Sequence, residues 1–142
     1  MYYRTFKIPP VNDGFWHHIG ILWSNGNYNI SLDGTFIYNG SNLGTATPLK
    51  GGGQFAIGQT MDTPGANFDS STSFVGKLCQ LNVWNKLLEQ QEVMAMSQND
   101  CSSNLGTVVD WRDVTRTLNG QLMVTPSQCQ SLRNGKMVGL SI

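Results

Sequence analysis

The fold is decided by one stretch, FWHHIGILW-SNGN-YNISL-DG-TFIY, which runs from residue 15 to residue 38. Its first part, residues 15–23, is apolar and aromatic, which is typical of a strand covered on both faces. Residues 28–32 alternate apolar and polar side chains, which predicts a second strand with its polar face outward. An NG turn at 25–26 and a type I′ hairpin signal, DG at 33–34, separate the strands. The stretch therefore predicts three antiparallel strands in a meander.

Short strands and turns are also predicted for most of the remaining chain. The predicted strands lie at residues 54–58, 74–84, 108–111 and 121–124, and the polar loops at 39–53 and 60–73. One amphipathic helix is predicted at residues 87–96, with Leu88, Val93 and Met96 on its core side. Residues 131–142 lack periodicity, which indicates a loose tail. The whole pattern favours an all-β fold, an antiparallel β-sandwich with one short helix.

Length and charge exclude several classes of protein. The chain has 142 residues, enough for one domain with its own core. Its 9 basic and 9 acidic residues give zero net charge without a Lys/Arg cluster, so we expect no nucleic-acid partner. The apolar stretches are far too short to cross a bilayer, so we expect no membrane span.

Residues for acid–base catalysis are scarce in this chain. Its two glutamates, Glu89 and Glu92, lie in one short segment, and its two histidines are adjacent. A glycosidase needs two carboxylates across a cleft, and the Gly-x-Ser-x-Gly elbow of many serine hydrolases is absent. His17 and His18 would point to opposite faces of a strand, so they cannot chelate one metal ion together. The sequence therefore predicts that the protein is not an enzyme.

Four segments of the chain resemble the pentraxin family of calcium-dependent, lectin-like ligand-binding domains. They are DGFWHH (13–18) through Trp23; GGG (51–53) through IGQTMD (57–62); GANFD (65–69) through FVG (74–76) and NVW (82–84); and CSSN (101–104) with VDW (109–111) and Cys129. The first looks like the family signature His-x-Cys-x-Ser/Thr-Trp, and the second like the family's approach to its calcium loop, Gly-Gln-Glu-Gln-Asp. The resemblance implies a jelly-roll β-sandwich.

The chain departs from the family pattern near its start. The cysteine of the signature is Gly20 here, and its Ser/Thr is Leu22. A full pentraxin domain is longer and begins with strands that have no match in this sequence. We therefore expect residues 1–130 to form an N-terminally incomplete pentraxin-like domain and residues 131–142 a C-terminal tail. A truncated gene model, a fragment and a true short form all fit this expectation, and a true short form would expose unpaired sheet edges.

The resemblance implies a calcium site in the loop at residues 60–72. In the family this loop supplies Glu, a main-chain carbonyl, Asp, a second acidic residue and Gln to two adjacent ions. The matching positions here are Thr60, Met61, Asp62, Asp69 and Thr72. Calcium prefers six to eight oxygens and binds more tightly as carboxylates are added, so two carboxylates imply one weak Ca²⁺ site. The alternative is that Asp62 and Asp69 merely cap turns.

Calcium-bridged recognition of a carbohydrate or phosphate-ester ligand is the function that the resemblance implies. The alternative is a calcium-independent structural or adhesion module of the laminin-G-like type, with a degenerate metal site. The resemblance also implies an extracellular location, as a homo-oligomer or as part of a multidomain protein. The tryptophans could stack on a sugar, but their strand-like surroundings predict core packing instead; they are Trp16, Trp23, Trp84 and Trp111.

The chain has three cysteines, Cys79, Cys101 and Cys129, so at least one is unpaired within the chain. Cys79 shares a predicted strand face with Leu81 and Val83, which predicts a buried and unreactive thiol. Cys101 and Cys129 match a cysteine pair of some pentraxin-like domains. The resemblance thus implies a disulfide between them, which would contribute roughly 3–4 kcal/mol, and an oxidising compartment.

Two glycosylation sequons, at Asn29 and Asn39, agree with a secreted protein. The strand alternation around residue 29 turns the Asn29 side chain outward. The N-terminus shows no apolar h-region and hence no visible signal peptide. The prediction of secretion therefore rests on the resemblance and on the cysteines.

Overall fold

The computed structural model describes residues 6–44, 52, 56–63, 66–98, 105–114, 116, 123–124 and 140–141. Within these ranges, seven strands and two α-helices follow one another along the chain. They are β1 (Ile19–Ser24), β2 (Asn27–Leu32), β3 (Thr35–Gly40), β4 (Thr60–Thr63), β5 (Ala66–Asp69), β6 (Lys77–Leu78), α1 (Gln90–Gln98), α2 (Trp111–Val114) and β7 (Leu140–Ser141). The strands pair antiparallel as β1-β2-β3, β4-β5 and β6-β7. The predicted all-β antiparallel fold class is confirmed, and α2 is a second short helix that the sequence pattern did not predict.

The three antiparallel strands of the meander form as predicted, but the expectation that the polar face of β2 lies outward is wrong at Ser31, which is fully buried where α1 packs on the sheet. Ile21 of β1 pairs with Ile30 of β2, and Ile30 pairs with Tyr38 of β3, so these residues share one face of the sheet. The turns at residues 25–26 and 33–34 have positive φ at all four central positions, between 49° and 85°. Positive φ at both central residues is what a type I′ turn requires, and its twist matches that of the flanking strands.

The first strand is shorter and more exposed than its composition predicts. The apolar stretch begins at residue 15, but β1 begins at Ile19, because the preceding residues are held by hydrogen bonds to side chains instead of a neighbouring strand. Ile19 and Ile21 are 50% and 73% exposed. The prediction of a strand covered on both faces is therefore wrong for the face that carries these two side chains.

Helix α1 begins at Gln90, three residues after the predicted start. The carboxylate of Glu92 accepts a hydrogen bond from the backbone N–H of Glu89 at 2.8 Å and contacts Nζ of Lys86 at 2.7 Å. Glu92 is the third residue of the helix, and its carboxylate accepts from a backbone N–H that has no partner within the helix. The capping contact therefore fixes where the helix starts, and Val93 lies on its buried face.

Helix α1 packs on one face of the meander. Ser31 is fully buried there, and a Cβ built on Gly20 would lie 3.5 Å from Cγ1 of Val93. A Cβ built on Gly34, in the turn between β2 and β3, would lie 3.2 Å from the Cα of Met94. Glycine at position 34 therefore lets the helix approach the sheet closely, whereas glycine at position 20 makes room for the side chain of Ser31 on the neighbouring strand.

The opposite face of the meander carries an aromatic cluster of Phe6, Tyr28 and Tyr38. The ring of Phe6 lies 5.3 Å from that of Tyr28 and 5.6 Å from that of Tyr38, between ring centroids. The hydroxyl of Tyr38 donates a hydrogen bond to the backbone carbonyl of Lys7. The segment that precedes β1 therefore lies across this face of the sheet.

The long strand predicted at residues 74–84 is interrupted. Only β6 forms a ladder, with β7, and Gln80 has a φ of +54°, which breaks the alternation of faces. Val83 then pairs with Val109 in an isolated bridge. The prediction of one continuous strand over residues 74–84 is therefore wrong on both sides of β6. The pairing of residues 140–141 with β6 likewise corrects the expectation of a loose tail at those two positions.

The predicted strand at residues 108–111 is also reduced to its bridge at Val109, because α2 begins at Trp111. The Oδ1 of Asn82 accepts hydrogen bonds from the backbone N–H groups of Trp111 and Gly106, at 3.1 and 3.3 Å. Its amide thus replaces the ladder bonds that a strand would have made. Of the predicted strands at 54–58 and 121–124, residues 56–58 form no strand, and the structure describes only 123–124 of the second.

Candidate functional site

The predicted loop at residues 60–73 is an antiparallel hairpin of β4 and β5, followed by a 3₁₀ turn at Ser70–Thr72. Thr60 pairs with Asp69, and Met61 pairs with Phe68. The prediction of a loop is wrong here because each strand is only four residues long, so that even the alternation of β5, Ala-Asn-Phe-Asp, is too short to stand out from a polar loop.

Two hydrogen bonds close the base of this hairpin. The backbone N–H of Phe74 donates to the carbonyl oxygen of Gly58 at 2.7 Å. Beside it, the side-chain amide of Gln59 donates to the hydroxyl of Ser73, also at 2.7 Å. The segment from residue 58 to residue 74 therefore leaves and re-enters the fold at one point. We call it the site hairpin.

The carboxylate of Asp69 caps the 3₁₀ turn. Its Oδ1 accepts hydrogen bonds from the hydroxyl of Ser71 at 2.7 Å and from the backbone N–H of Ser71 at 2.8 Å. Both bonds stabilise the ionised form and hold the pKa of Asp69 below its ordinary value. Asp69 is exposed and is therefore a charged carboxylate at neutral pH.

Ser71 is the residue at this site that sequence reasoning missed. An Asp followed two residues later by Ser is the signal that could have found it, because this spacing favours an Asx turn with the backbone N–H as donor. The hydroxyl of Thr72 donates to the backbone carbonyl of Asp69 at 2.8 Å, so the turn is tied at two points.

The structure places all five predicted ligand positions on the site hairpin. Thr60 and Asp69 lie directly opposite each other in the β4–β5 ladder, and Thr72 contacts Asp69. Met61 and Asp62 follow Thr60 along β4. Within the part of the chain that the structure describes, no group of three His, Cys, Asp or Glu side chains is arranged to hold a metal ion.

The cysteines and sequons lie away from the site hairpin in sequence. Cys79 is half-buried, and burial raises the pKa of its thiol to about 11, which keeps it protonated and unreactive at neutral pH. Cys101 and Cys129 lie outside the described residues. Asn29 and Asn39 are exposed and face each other as a pair across β2 and β3.

All four tryptophans are half-buried. The indole N–H of Trp23 donates to the carbonyl of Leu43 at 2.6 Å, and that of Trp84 donates to the carbonyl of Leu105 at 3.0 Å. These bonds hold the two rings against the protein and support the prediction that they pack. As for membrane insertion, none of the helices within the described ranges has the length and apolar character of a bilayer-crossing segment.

Comparison with known proteins decides the family. The model of the Pentaxin family matches residues 4–126. The chain belongs to the pentaxin (pentraxin) family. This confirms the resemblance inferred from the four sequence segments, and the antiparallel strands with few short helices are consistent with the family's jelly-roll β-sandwich.

Three relatives illustrate the similarity. The chain is 36% identical over 128 residues to the rat protein named "Sushi, von Willebrand factor type A, EGF and pentraxin domain-containing protein 1", an alignment that covers 87% of this chain and 4% of the relative. It is 40% identical over 106 residues to neuronal pentraxin-2 of Mus musculus, covering 72% and 24%. It is 36% identical over 113 residues to neuronal pentraxin-1 of Rattus norvegicus, covering 78% and 26%.

This pentraxin module therefore spans about a quarter or less of the length of these relatives. The name of the rat protein describes a multidomain architecture that includes a pentraxin domain. Pentraxin modules thus occur within larger proteins among the relatives of this chain.

Proposed function

We propose that this pentraxin module is a non-enzymatic, extracellular ligand-binding domain. Its site hairpin would hold one Ca²⁺ weakly and, through it, a carbohydrate or phosphate-ester ligand. The observation that carries the proposal is the pairing of Thr60 with Asp69 in a hairpin closed at its base. This arrangement gathers oxygen-bearing residues from two strands on one structural unit.

The donors available on the site hairpin suit calcium. Asp62 and Asp69 contribute carboxylates, Met61 a backbone carbonyl, and Thr60 and Thr72 hydroxyl groups. All of these are hard oxygen ligands, which calcium prefers to nitrogen or sulfur. The lowered pKa of Asp69 supports the same view, because the group is already ionised at neutral pH and needs no proton release on binding.

The size of this donor set also supports the ligand chemistry. Calcium takes about six to eight oxygens, so a site with five protein donors leaves about one to three positions for other oxygens. The hydroxyls of a carbohydrate or the oxygens of a phosphate ester can fill them. A bound calcium ion would supply the positive charge that attracts such a ligand to the hairpin.

Two carboxylates balance the charge of one Ca²⁺, and a site of this charge belongs to the weak end of protein calcium sites, with Kd of about 0.1–1 mM. At 10 mM calcium this range corresponds to a stabilisation of about 1.4–2.7 kcal/mol, since the ion binds only the folded state. For a chain of this length we expect the Tm to rise by about 3–10 °C over its value in EDTA.

The test is a pair of melting curves, in 10 mM calcium and in EDTA, for the wild-type chain, Asp62→Ala and Asp69→Asn. Asparagine keeps the Oδ1 that accepts from Ser71, so Asp69→Asn preserves the capped turn while it removes the charge. We expect both variants to lose the calcium-dependent rise and Asp69→Asn to keep the melting temperature of the wild type in EDTA.

A matched control is Asp113→Asn, which removes an exposed carboxylate outside the site hairpin. It should keep the full calcium response. If the wild type melts at one temperature with and without calcium, the calcium site is ruled out. If the control loses the response as well, the effect comes from surface charge and not from the site hairpin.

The hydrogen bonds that Asp69 accepts within the fold favour a second candidate function. Because its Oδ1 accepts two hydrogen bonds from Ser71, this carboxylate already serves the fold of the hairpin. A calcium-independent structural or adhesion module of the laminin-G-like type would use it in that way alone. In this case calcium leaves all melting curves unchanged, and Asp69→Ala lowers the Tm equally in calcium and EDTA.

We further propose that the module is secreted, glycosylated at Asn29 and Asn39, and cross-linked between Cys101 and Cys129. The exposure of both asparagines supports the first modification. Expression in secretory cells followed by glycosidase treatment should release two glycans, and non-reducing mass spectrometry should show the 101–129 pair.

The boundaries and assembly of the module are also proposals. We propose that residues 1–130 form the pentraxin-like domain and that 131–142 follow it as a tail, whose residues 140–141 return to pair with β6. We also propose that the module works as a homo-oligomer or inside a multidomain extracellular protein. The multidomain name of the rat relative supports the latter. Light scattering of the purified chain distinguishes a homo-oligomer from a monomer.

A further inference from the structure

Both ring nitrogens of His17 contact a carboxylate. Nδ1 lies 2.9 Å from Oδ2 of Asp33, and Nε2 lies 3.1 Å from Oδ1 of Asp13. A neutral imidazole has one N–H and one acceptor nitrogen, so it can donate to only one of these carboxylates. The imidazolium donates to both and is therefore the form that the geometry fits.

The two carboxylates are anchored differently. Asp33 accepts a hydrogen bond from the backbone N–H of His18 at 2.9 Å, and its own N–H donates to the carbonyl of His18 at 2.8 Å. Asp13 accepts, besides the contact with His17, the N–H of Phe15 within its own turn, at 2.9 Å, and its own backbone N–H. When His17 loses a proton, the ring can keep its N–H on Nδ1 and remain bonded to Asp33. The contact with Asp13 then loses its donor.

The segment that Asp13 belongs to is attached to the sheet at a second point. Phe6 packs against Tyr28 and Tyr38, and Lys7 accepts a hydrogen bond from Tyr38 through its backbone carbonyl. The segment from residue 6 to residue 15 is thus held by aromatic packing at one end and by His17 at the other. We call this segment the strap.

We propose that the strap is a pH-dependent closure over the aromatic face of the meander. It is fastened at Asp13 when His17 is protonated and released at that end when His17 is neutral. The aromatic contacts of Phe6 do not titrate, so the far end of the strap stays in place. The device therefore loosens one end of the segment and leaves the sheet intact.

The groups around His17 set the direction of the switch. The hydrogen bonds to Asp33 and Asp13 raise the pKa of His17 above its ordinary value of 6.5, against an opposing effect of burial. These two aspartates are the charged groups that contact His17 within the described ranges. The neighbouring His18 is half-buried, and burial lowers its pKa, so it adds no positive charge at neutral pH.

The pH range of closure follows from these shifts. A raised pKa in the folded state means that the contribution of His17 is complete below pH 6.5 and is lost as pH rises through the raised value. The pKa of Asp13 lies below 3.8, mainly because of the N–H of Phe15 and then of His17, so Asp13 releases the strap only in strong acid. The strap is therefore closed in weakly acidic solution and open in alkaline solution.

The experiment is an NMR titration of the 142-residue chain from pH 5 to pH 9. It follows the ring of His17 together with the hydrogen exchange of the Phe15 amide, corrected for the intrinsic pH dependence of exchange. We expect the corrected exchange rate of the Phe15 amide to rise with pH by up to about fivefold, the factor that a partly exposed ion pair contributes to an equilibrium. The midpoint of this rise should coincide with the midpoint of the His17 titration.

Three variants make the result decisive. Asp13→Asn keeps an oxygen that can accept from Phe15 but removes the charge, so it should lower the midpoint of His17; His17→Gln should abolish the step in exchange. Glu89→Gln, an exposed charge change on another element, should alter neither. The proposal is overturned if Asp13→Asn leaves the midpoint of His17 unchanged, or if exchange at Phe15 shows no step at that midpoint in the folded wild type.

Discussion

Gly34→Ala should destabilise the protein for two reasons that add. Gly34 has a φ of +80°, a conformation that costs a residue with a Cβ about 1–2 kcal/mol. The new methyl group would also lie 3.2 Å from the Cα of Met94, and closer still to the hydroxyl of Ser97, so α1 must shift. Overpacking of this kind costs about 1–3 kcal/mol. We therefore expect a total loss of about 2–5 kcal/mol in the free energy of unfolding.

The matched control is Gly44→Ala. Gly44 also has a positive φ, of +65°, but a Cβ built there meets nothing within 4 Å. This variant carries the backbone cost alone, about 1–2 kcal/mol, partly offset because alanine lowers the entropy of the unfolded chain. The difference between the two variants measures the contact between α1 and the β2–β3 turn.

The assay is urea unfolding followed by tryptophan fluorescence, with the slope m compared among the three proteins. The midpoint should fall much further for Gly34→Ala than for Gly44→Ala, while m stays the same. Equal midpoints for the two variants would refute the packing of α1 against the turn, since the backbone term would then account for the whole effect.

Two further predictions concern titrating groups. The thiol of Cys79, with its pKa raised to about 11, should react with iodoacetamide at pH 8 far more slowly in the folded chain than in urea, as measured by mass spectrometry; equal rates would show that it is accessible. Hydrogen bonds lower two carboxyl pKa values, that of Glu92 from 4.5 mainly through Lys86 and that of Asp110 from 3.8 mainly through Arg112. The stability that these two carboxylates contribute is therefore present above 4.5 and 3.8, and it is lost as pH falls through their lowered pKa values. The urea midpoint should therefore drop below pH 4, and Glu92→Gln with Asp110→Asn should flatten this drop.

The meander could be predicted because its determinants are local. The turn at residues 33–34 needs only an Asp-Gly dipeptide, and β2 needs only alternation between two turns. Both signals lie within a few residues of the structure that they specify. The family could be predicted for the same reason, since its motifs are short and stand in the right order.

The interrupted strand at residues 74–84 could not be predicted in this way. Its alternation is regular in sequence, but Gln80 takes a positive φ, and the amide of Asn82 binds backbone groups of residues 106 and 111. These partners lie far away in the sequence, so no local pattern predicts these hydrogen bonds. Which face of a strand becomes covered also depends on residues that are distant in the sequence, as the exposure of Ile21 shows.

Part of the candidate site was predicted and part was not. The positions of Asp62 and Asp69 follow from motif matching. The hairpin that pairs Thr60 with Asp69 does not, because each of its strands is only four residues long. The capping role of Ser71 depends on a backbone turn that the sequence only permits.

The packing of α1 on the meander has a consequence for folding during synthesis on the ribosome. Turns and hairpins of this length form in microseconds, so the meander can assemble once residue 40 has emerged. Its helix-facing side, with Ser31 and Gly34, stays without its cover until residue 98 has also emerged. At about 5–20 residues per second, translation of the intervening roughly sixty residues takes about 3–12 s. During that interval the nascent chain carries a folded meander with one face not yet covered by α1. We expect a chaperone to bind the chain at this stage.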